Sequence, residues 1–157
     1  MSGTTVKVKT AHIDIGPTGF IVYAKDYLEG YKAYNPEMPF SPAKYYLVCR
    51  SVELALKSYL SLKKIKIEMI KYKLGHDLIK NLNRAKELNI NRVVEISSAE
   101  EIEIEKANSW YNRKGFEYFD IKNIVESEAL PELDVLLALS ERLIRNLHPL
   151  CLSSAQE

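Results

Sequence analysis

An adjacent histidine and aspartate, His76 and Asp77, stand in the stretch YKLGHDLIKNLNRAKELN (72–89), and such a pair can bind a metal or transfer protons. A metal site also needs an upstream histidine and a downstream aspartate, because two adjacent side chains rarely complete a coordination sphere. The upstream candidate is His12, in what we expect to be an N-terminal tail, and no downstream aspartate stands out. We therefore expect neither a metal nor a cofactor.

The same pair also fits a structural role at the start of a helix. Gly75 permits the turn before the helix, and Asp77 would lie in the first helical turn, at the positive end of the helix dipole. His76 can bridge neighbouring backbone or side-chain groups. We favour this reading, and a ligand-binding pocket built from the same residues is the alternative.

A second candidate pair is Glu53 and Lys57, which are four residues apart and share one face of a helix. The three residues between them are all apolar. The pair could be solvated, or it could be buried against the turn at Gly75 and fix the packing of the helices. We favour a buried polar network of Glu53, Lys57, His76 and Asp77.

The elements that must position these side chains are predicted to be helices. Ser41 before Pro42 is a helix start, since serine caps the helix and proline needs no hydrogen bond there. Ser98 and Glu101 have the spacing of a capping box. Apolar residues recur at helical spacing in five segments: 17–34, 42 to about 64, 76–89, 98 to about 111, and 131–148.

These segments predict a single all-α domain over residues 1–157, an up-and-down bundle of four to five helices. The longest helix should begin near Pro42. The segment 65–75 is ambiguous, and an ordered connection or a short helical turn is expected there.

Charge is unevenly distributed, although the net charge is only +1. Ten Lys/Arg residues face three acids between residues 57 and 92, whereas twelve acids face four Lys/Arg residues between 95 and 141. Blocks of opposite sign can pair within the chain or across a dimer. Together with the helically spaced Tyr23, Tyr27 and Tyr31, they favour a homodimer. RNA binding by the basic block is a weaker possibility.

The remaining features indicate a cytoplasmic protein. Residues 1–10 lack the apolar run of a signal peptide, and no stretch reaches membrane-spanning length. Cys49 and Cys151 lack a CxxC spacing and are expected to be buried or idle thiols.

Three segments together resemble a known family. They are PAKYYLVCRSVELALKSYLSLKK, then GHDLIKNLNRAKEL, then WYNRKGFEYF before a proline-started helix. This order resembles the HEPN-like helical-bundle domains, in which a long helix with a Glu-x-x-x-Lys element precedes a Gly-His-Asp-Leu helix start. The likeness covers about residues 41–148. It implies a bundle that often dimerises, with functions from RNA cleavage and toxin–antitoxin systems to non-catalytic binding.

The ribonuclease members of that family carry an Arg-x(4–6)-His motif, and Arg142 to His148 in RLIRNLH is the one match. The resemblance implies that His148 would deprotonate a ribose 2′-hydroxyl and Arg142 would stabilise the phosphorane, without a metal. Leu143 follows the arginine where those members typically have a polar residue, and Pro149 is expected to end the helix.

Three functions follow from these observations. The first is a non-catalytic HEPN-like module, homodimeric or bound to a protein partner, in a defence or toxin–antitoxin setting that the resemblance alone implies. The second is a metal-independent endoribonuclease using Arg142 and His148. The third is a nucleotide-binding or small-ligand-binding domain using Glu53, Lys57, His76 and Asp77.

Overall fold

The computed structural model describes residues 15–118 and 129–156, and these residues form helices and no strand. The prediction of an all-α fold is confirmed. The α-helices are α1 (Pro17–Ala33), α2 (Pro42–Leu62), α3 (Leu78–Glu87), α4 (Ser98–Tyr111) and α5 (Leu133–Ser154). A π-helical turn covers Met69–Leu74, and a 3-10 turn covers Ile90–Arg92.

Helix α1 runs antiparallel to both α2 and α5. At one end of α1, the Thr18 hydroxyl donates to the carbonyl of Cys151 on α5 at 3.0 Å. At its other end, Lys32 forms an ion pair of 2.9 Å with Glu141 on α5. The Lys44 ammonium, near the start of α2, donates to the carbonyl of Tyr31 at 2.7 Å. Helices α2 and α5 therefore run in the same direction.

The three long helices meet at one buried polar point. The Ser51 hydroxyl on α2 donates to the Ala24 carbonyl on α1 at 2.7 Å, and it shares a second hydrogen bond of 2.7 Å with Ser140 on α5. Both serines are fully buried. Small side chains at this crossing let the helices approach closely, while the hydrogen bonds satisfy the buried hydroxyls.

Helices α3 and α4 are fastened to each other and to α2. The Tyr59 hydroxyl of α2 donates to the Leu88 carbonyl after α3 at 2.6 Å. Lys86 of the basic block pairs with Glu101 of the acidic block at 2.5 Å, which joins α3 to α4. One predicted pairing of the two charge blocks thus occurs within the chain.

Three helix starts differ by one or two residues from their predicted positions. Helix α5 begins at Leu133 rather than at Pro131, and the other two are the starts of α4 and α3. The capping box that starts α4 uses Ser97 and Glu100 rather than Ser98 and Glu101, because the Ser97 hydroxyl is the one that accepts from the Glu100 N–H. Helix α3 begins after Asp77, whose carboxylate accepts from the Lys80 N–H at 3.0 Å. Both starts are decided by the residue that accepts the first backbone N–H.

The prediction that Pro149 ends the last helix is wrong. Helix α5 continues through Pro149 to Ser154. Its 22 residues exceed the 21 of α2, so the longest helix that the structure describes is α5 and not, as predicted, the helix that begins at Pro42. Proline removes one backbone donor from the helix. Beyond it, however, Cys151 is buried and its carbonyl accepts from Thr18, so contacts with α1 hold the final turns.

The ambiguous segment 65–75 contains the π-helical turn at Met69–Leu74, which agrees with the expected short helical turn. The Gly75 N–H donates to the Ile70 carbonyl, five residues earlier, at 3.0 Å. Ile70 is buried, which anchors the turn against the core. Gly75 ends it with φ +54° and ψ −135°, a conformation that glycine adopts without a steric cost.

Both cysteines lie in the core. Cys49 on α2 and Cys151 on α5 are free thiols with no exposed surface. Burial raises the pKa of each thiol above its ordinary value. Within the described ranges, no helix combines the length and the apolar character needed to cross a bilayer.

Candidate functional site: a buried carboxylate beneath a polar cavity

The carboxylate of Glu53 is fully buried and lies among four donor groups. Lys57 Nζ donates to its Oε1 at 2.5 Å, and Arg50 Nη1 donates to the same oxygen at 3.0 Å. The Tyr111 hydroxyl donates to Oε2. His76 Nδ1 lies 3.2 Å from both oxygens. The acceptor capacity of this carboxylate is therefore filled by protein donors.

Three parts of the chain bring these groups together. Arg50, Glu53 and Lys57 share one face of α2, at spacings of three and four residues. Tyr111 is the last residue of α4. His76 follows Gly75, so its position depends on the π-helical turn and on the positive φ of that glycine.

The site holds one surplus positive charge. Burial raises the pKa of Glu53, but the His76 hydrogen bond and the charges of Lys57 and Arg50 outweigh it and lower that pKa to about 2. Burial and the nearby Glu53 charge raise the pKa of Tyr111, which keeps the phenol neutral. A buried cation, Lys57, and a partly buried one, Arg50, therefore meet a single carboxylate.

Arg50 keeps its charge in this setting. Burial lowers the pKa of its guanidinium, but the charge of Glu53 and the contact with Tyr111 more than compensate, so the pKa is raised. Arginine has five N–H donors. Its Nε is buried and has no hydrogen-bond partner among the residues that the structure describes.

The distances from His76 to Glu53 favour the tautomer of His76 that carries its hydrogen on Nδ1. A lone pair on Nδ1 would face two carboxylate oxygens at 3.2 Å, whereas an N–H there donates to them. Arg50 Nη1 also lies 3.1 Å from Nδ1, but that atom cannot donate and accept at once. The side chain is 60% exposed, so Nε2 remains available to a ligand.

A cavity of about 240 Å³ lies over this cluster. Its walls combine aromatic and polar side chains: Tyr46, Arg50, His76, Tyr111, Asn112, Lys114 and Glu117. The rings of Tyr46 and Tyr111 have centroids 6.0 Å apart and are tilted by 47°. Tyr27 packs edge-on against Tyr46 at 6.3 Å, which supports that wall from behind.

Asp77 does not join the network that the sequence led us to expect. Its carboxylate caps α3 and also accepts from Asn108 Nδ2 at 3.2 Å, while Asn108 Oδ1 accepts from the Leu78 N–H at 2.7 Å. The capping geometry turns Asp77 towards α4, whereas His76 turns towards α2. Of the four expected members, Lys57 and His76 each contact Glu53.

Arg142 and His148 are not brought together. Arg142 Nη2 donates to both carboxylate oxygens of Glu100, at 2.7 and 2.8 Å, and to the Glu95 carbonyl at 2.9 Å. His148 lies six residues further along α5, fewer than two turns, and is half-buried. Six helical positions separate them by about 9 Å along the axis and about 240° around it.

Sequence reasoning missed Arg50, Tyr46, Tyr111 and Lys114. A local signal existed for Arg50, because it precedes Glu53 by three residues and shares its helix face. Tyr111 is 58 residues from Glu53 in the chain, and only the packing of α4 against α2 brings it there.

No group of three or more His, Cys, Asp or Glu side chains suited to a metal occurs in 15–118 or 129–156. His12 lies outside the described residues. No protein-family model, curated protein or solved structure matches the chain.

Proposed function

We propose that the chain is a non-catalytic HEPN-like bundle that binds a small polar ligand in the cavity over Glu53. The observation that carries this proposal is the fully buried Glu53 carboxylate, held by four donors directly beneath an open cavity. Perturbed ionisable groups at the base of a cavity are typical of functional sites. A nucleotide is one candidate ligand.

A purely structural role explains less of this geometry. The start of α3 is already complete without His76, since Asp77 caps it and Asn108 braces it. The contact of His76 with Glu53 nevertheless depends on a π-helical turn and on a glycine with positive φ. Irregular backbone of this kind is concentrated at functional sites.

The placement of Arg142 supports a non-catalytic role. A ribonuclease site would leave the arginine free for a phosphate, whereas Arg142 is held by the Glu100 carboxylate at the start of α4. This ion pair fastens α5 to α4. The endoribonuclease that uses Arg142 and His148 is therefore the less favoured alternative.

Self-association is a second proposed property, and it has its own observation. A mainly apolar groove of about 360 Å³ between α1 and α2 includes the partly exposed rings of Phe20 and Tyr23 beside the exposed Ile15. Tyr31 cannot contribute to it, because it is buried with the Lys44 ammonium 4.2 Å from its ring centre. From this groove and the family resemblance we propose that the chain forms a homodimer or binds a protein partner, in a defence setting.

The histidines provide a direct test of ligand binding. The chain has three histidines, and His76 lines the cavity whereas His148 lies on α5 outside it. Proton NMR of the ring resonances, assigned with His76→Asn and His148→Asn, would be recorded against a library of small polar molecules that includes nucleotides. We expect ligands that shift the His76 resonance and leave that of His148 in place. A library in which no compound shifts His76 selectively would refute the proposal.

A further inference from the structure

We propose that the cavity receives the anionic end of its ligand, a phosphate or phosphate monoester group. This inference rests on the proposed ligand-binding function and specifies the chemistry of the ligand. It follows from three independent features of the site: its charge, its hydrogen-bonding capacity and its shape.

The charge of the site favours an anion. Beneath the cavity, Arg50 and Lys57 share the single negative charge of Glu53. On the rim, Lys114 is offset by Glu117. The sum is one positive charge with His76 neutral and two with His76 protonated. Since a buried charge is costly until it is paired, an incoming anion is stabilised by this surplus and a cation is repelled.

The hydrogen-bonding capacity also favours an anion. The Glu53 oxygens already accept from four donors. Arg50 lines the cavity and has five N–H groups, and Nη1 is the nitrogen that donates to Glu53. Lys114 and Asn112 add donors at the rim. The site thus has unused donors, and an oxyanion supplies acceptors only.

The shape limits which part of a ligand can enter. A flat ring between two aromatic rings needs them about 7 Å apart, twice a carbon–carbon contact distance. The centroids of Tyr46 and Tyr111 are 6.0 Å apart and the rings are tilted, so no base fits between them. The cavity of about 240 Å³ is large enough for a tetrahedral oxyanion, whereas a base would have to lie away from these two rings.

Two lysines provide a matched pair of variants. Lys114 lines the cavity, Lys64 does not, and both are exposed with nearly the same positive φ, 61° and 62°. Asparagine tolerates this backbone conformation better than most residues. Lys114→Asn and Lys64→Asn therefore remove the same charge at little cost to folding.

Titration calorimetry at fixed ionic strength would compare inorganic phosphate, glycerol 3-phosphate and glycerol on the full chain. We expect both phosphates to bind and glycerol not to bind. Lys114→Asn should weaken phosphate binding about tenfold, as expected for one lost charge contact, and Lys64→Asn should not change it. Tighter binding of inorganic phosphate would indicate a free anion, and tighter binding of the ester would indicate the end of a larger ligand.

Other outcomes would overturn the inference. If Lys114→Asn and Lys64→Asn weakened phosphate binding equally, the binding would be explained by general attraction to surface charge and not by the cavity. Absence of phosphate binding, with a neutral compound still shifting the His76 resonance, would refute the anion and leave the proposed ligand-binding function in place. Absence of any ligand that shifts His76 would instead refute the proposed function itself.

Discussion

His76 Nδ1 lies 3.2 Å from both carboxylate oxygens of Glu53, although 23 residues separate the two in the chain. The contact joins the turn before α3 to the middle of α2. Because Glu53 is fully buried and His76 is largely exposed, the two partners should respond differently to removal.

A double-mutant cycle measures this contact. Glu53→Ala would leave the buried Lys57 and the partly buried Arg50 without their carboxylate, which should cost roughly 3 to 5 kcal/mol of unfolding free energy. His76→Ala removes one hydrogen bond from a mostly exposed ring and should cost about 1 kcal/mol. The double variant should lose less than the sum, because both changes act on one network. Urea unfolding provides all three values.

His148→Ala is the matched control for that cycle. His148 is half-buried and lies outside the network. Its loss should cost at most about 0.5 kcal/mol and should add to the loss from Glu53→Ala. Additive losses in the His76 cycle would contradict an energetic network around Glu53.

The depressed pKa of Glu53 predicts a loss of stability in acid. In the unfolded chain the carboxyl has its ordinary pKa of 4.5, and in the folded chain its pKa is about 2. The unfolded state therefore takes up the proton first as pH falls. The contribution, about 3 kcal/mol, is fully present above roughly pH 5 and is lost progressively as pH falls towards 2.

Urea unfolding between pH 7 and pH 2.5 tests this window. Glu53→Gln should be less stable than wild type at pH 7, and the difference should shrink as pH falls below 4.5. Glu37 is exposed, so Glu37→Gln should follow the wild-type profile throughout. A difference between Glu53→Gln and wild type that is independent of pH would argue against the assigned charge state.

The backbone at Gly75 predicts a position-specific effect of alanine. Gly75 has φ +54°, where a side chain is strained, so Gly75→Ala should lose roughly 1 to 2 kcal/mol and move His76 from Glu53. In α1, Gly30 has ordinary helical geometry, and a Cβ there would meet Leu47 at 3.8 Å. Gly30→Ala should therefore gain about 0.5 to 1 kcal/mol. Thermal unfolding of the two variants distinguishes them by sign.

Arg142 is predicted to contribute to stability without supporting RNA cleavage. Arg142→Ala should lower the unfolding free energy by about 1 to 2 kcal/mol, since it releases Glu100 and the Glu95 carbonyl. A ribonuclease assay of wild type beside His148→Ala should show no activity that depends on His148. Metal-independent cleavage that disappears in both variants would restore the endoribonuclease alternative.

The proposed homodimer predicts a mass of twice 18.0 kDa by light scattering at micromolar concentration. Tyr23→Glu places a charge in the groove between α1 and α2 and should shift the population towards monomer. Tyr34→Glu, on an exposed residue just after α1, is the control. A wild-type chain that stays monomeric at high concentration would count decisively against the dimer.

Local patterns predicted most of the fold. The apolar stripe of α2 and the Ser41 cap predicted that helix correctly to within about two residues. The end of α5 could not be predicted in the same way, because a contact with α1, 133 residues away in the chain, holds the turns after Pro149.

The candidate site could be predicted only in part, for a related reason. Glu53 and Lys57 are one helical turn apart, and their pairing follows from spacing alone. Tyr111 reaches Glu53 only through tertiary packing, and the separation of His76 from Asp77 depends on the exact residue that caps α3. The missed contact of Tyr111 is between groups distant in sequence, whereas that of Arg50 with Glu53 spans three residues and had a local signal.

The two buried cysteines allow transient opening of the core to be measured without an added label. A thiol reacts with an alkylating or disulfide reagent as the thiolate, and burial keeps both thiols protonated and inaccessible. Labelling must therefore wait for a fluctuation that exposes the sulfur. Cys49 lies within α2, and Cys151 lies in the last turn of α5. Their labelling rates therefore compare opening of the interior of the bundle with fraying at the end of α5.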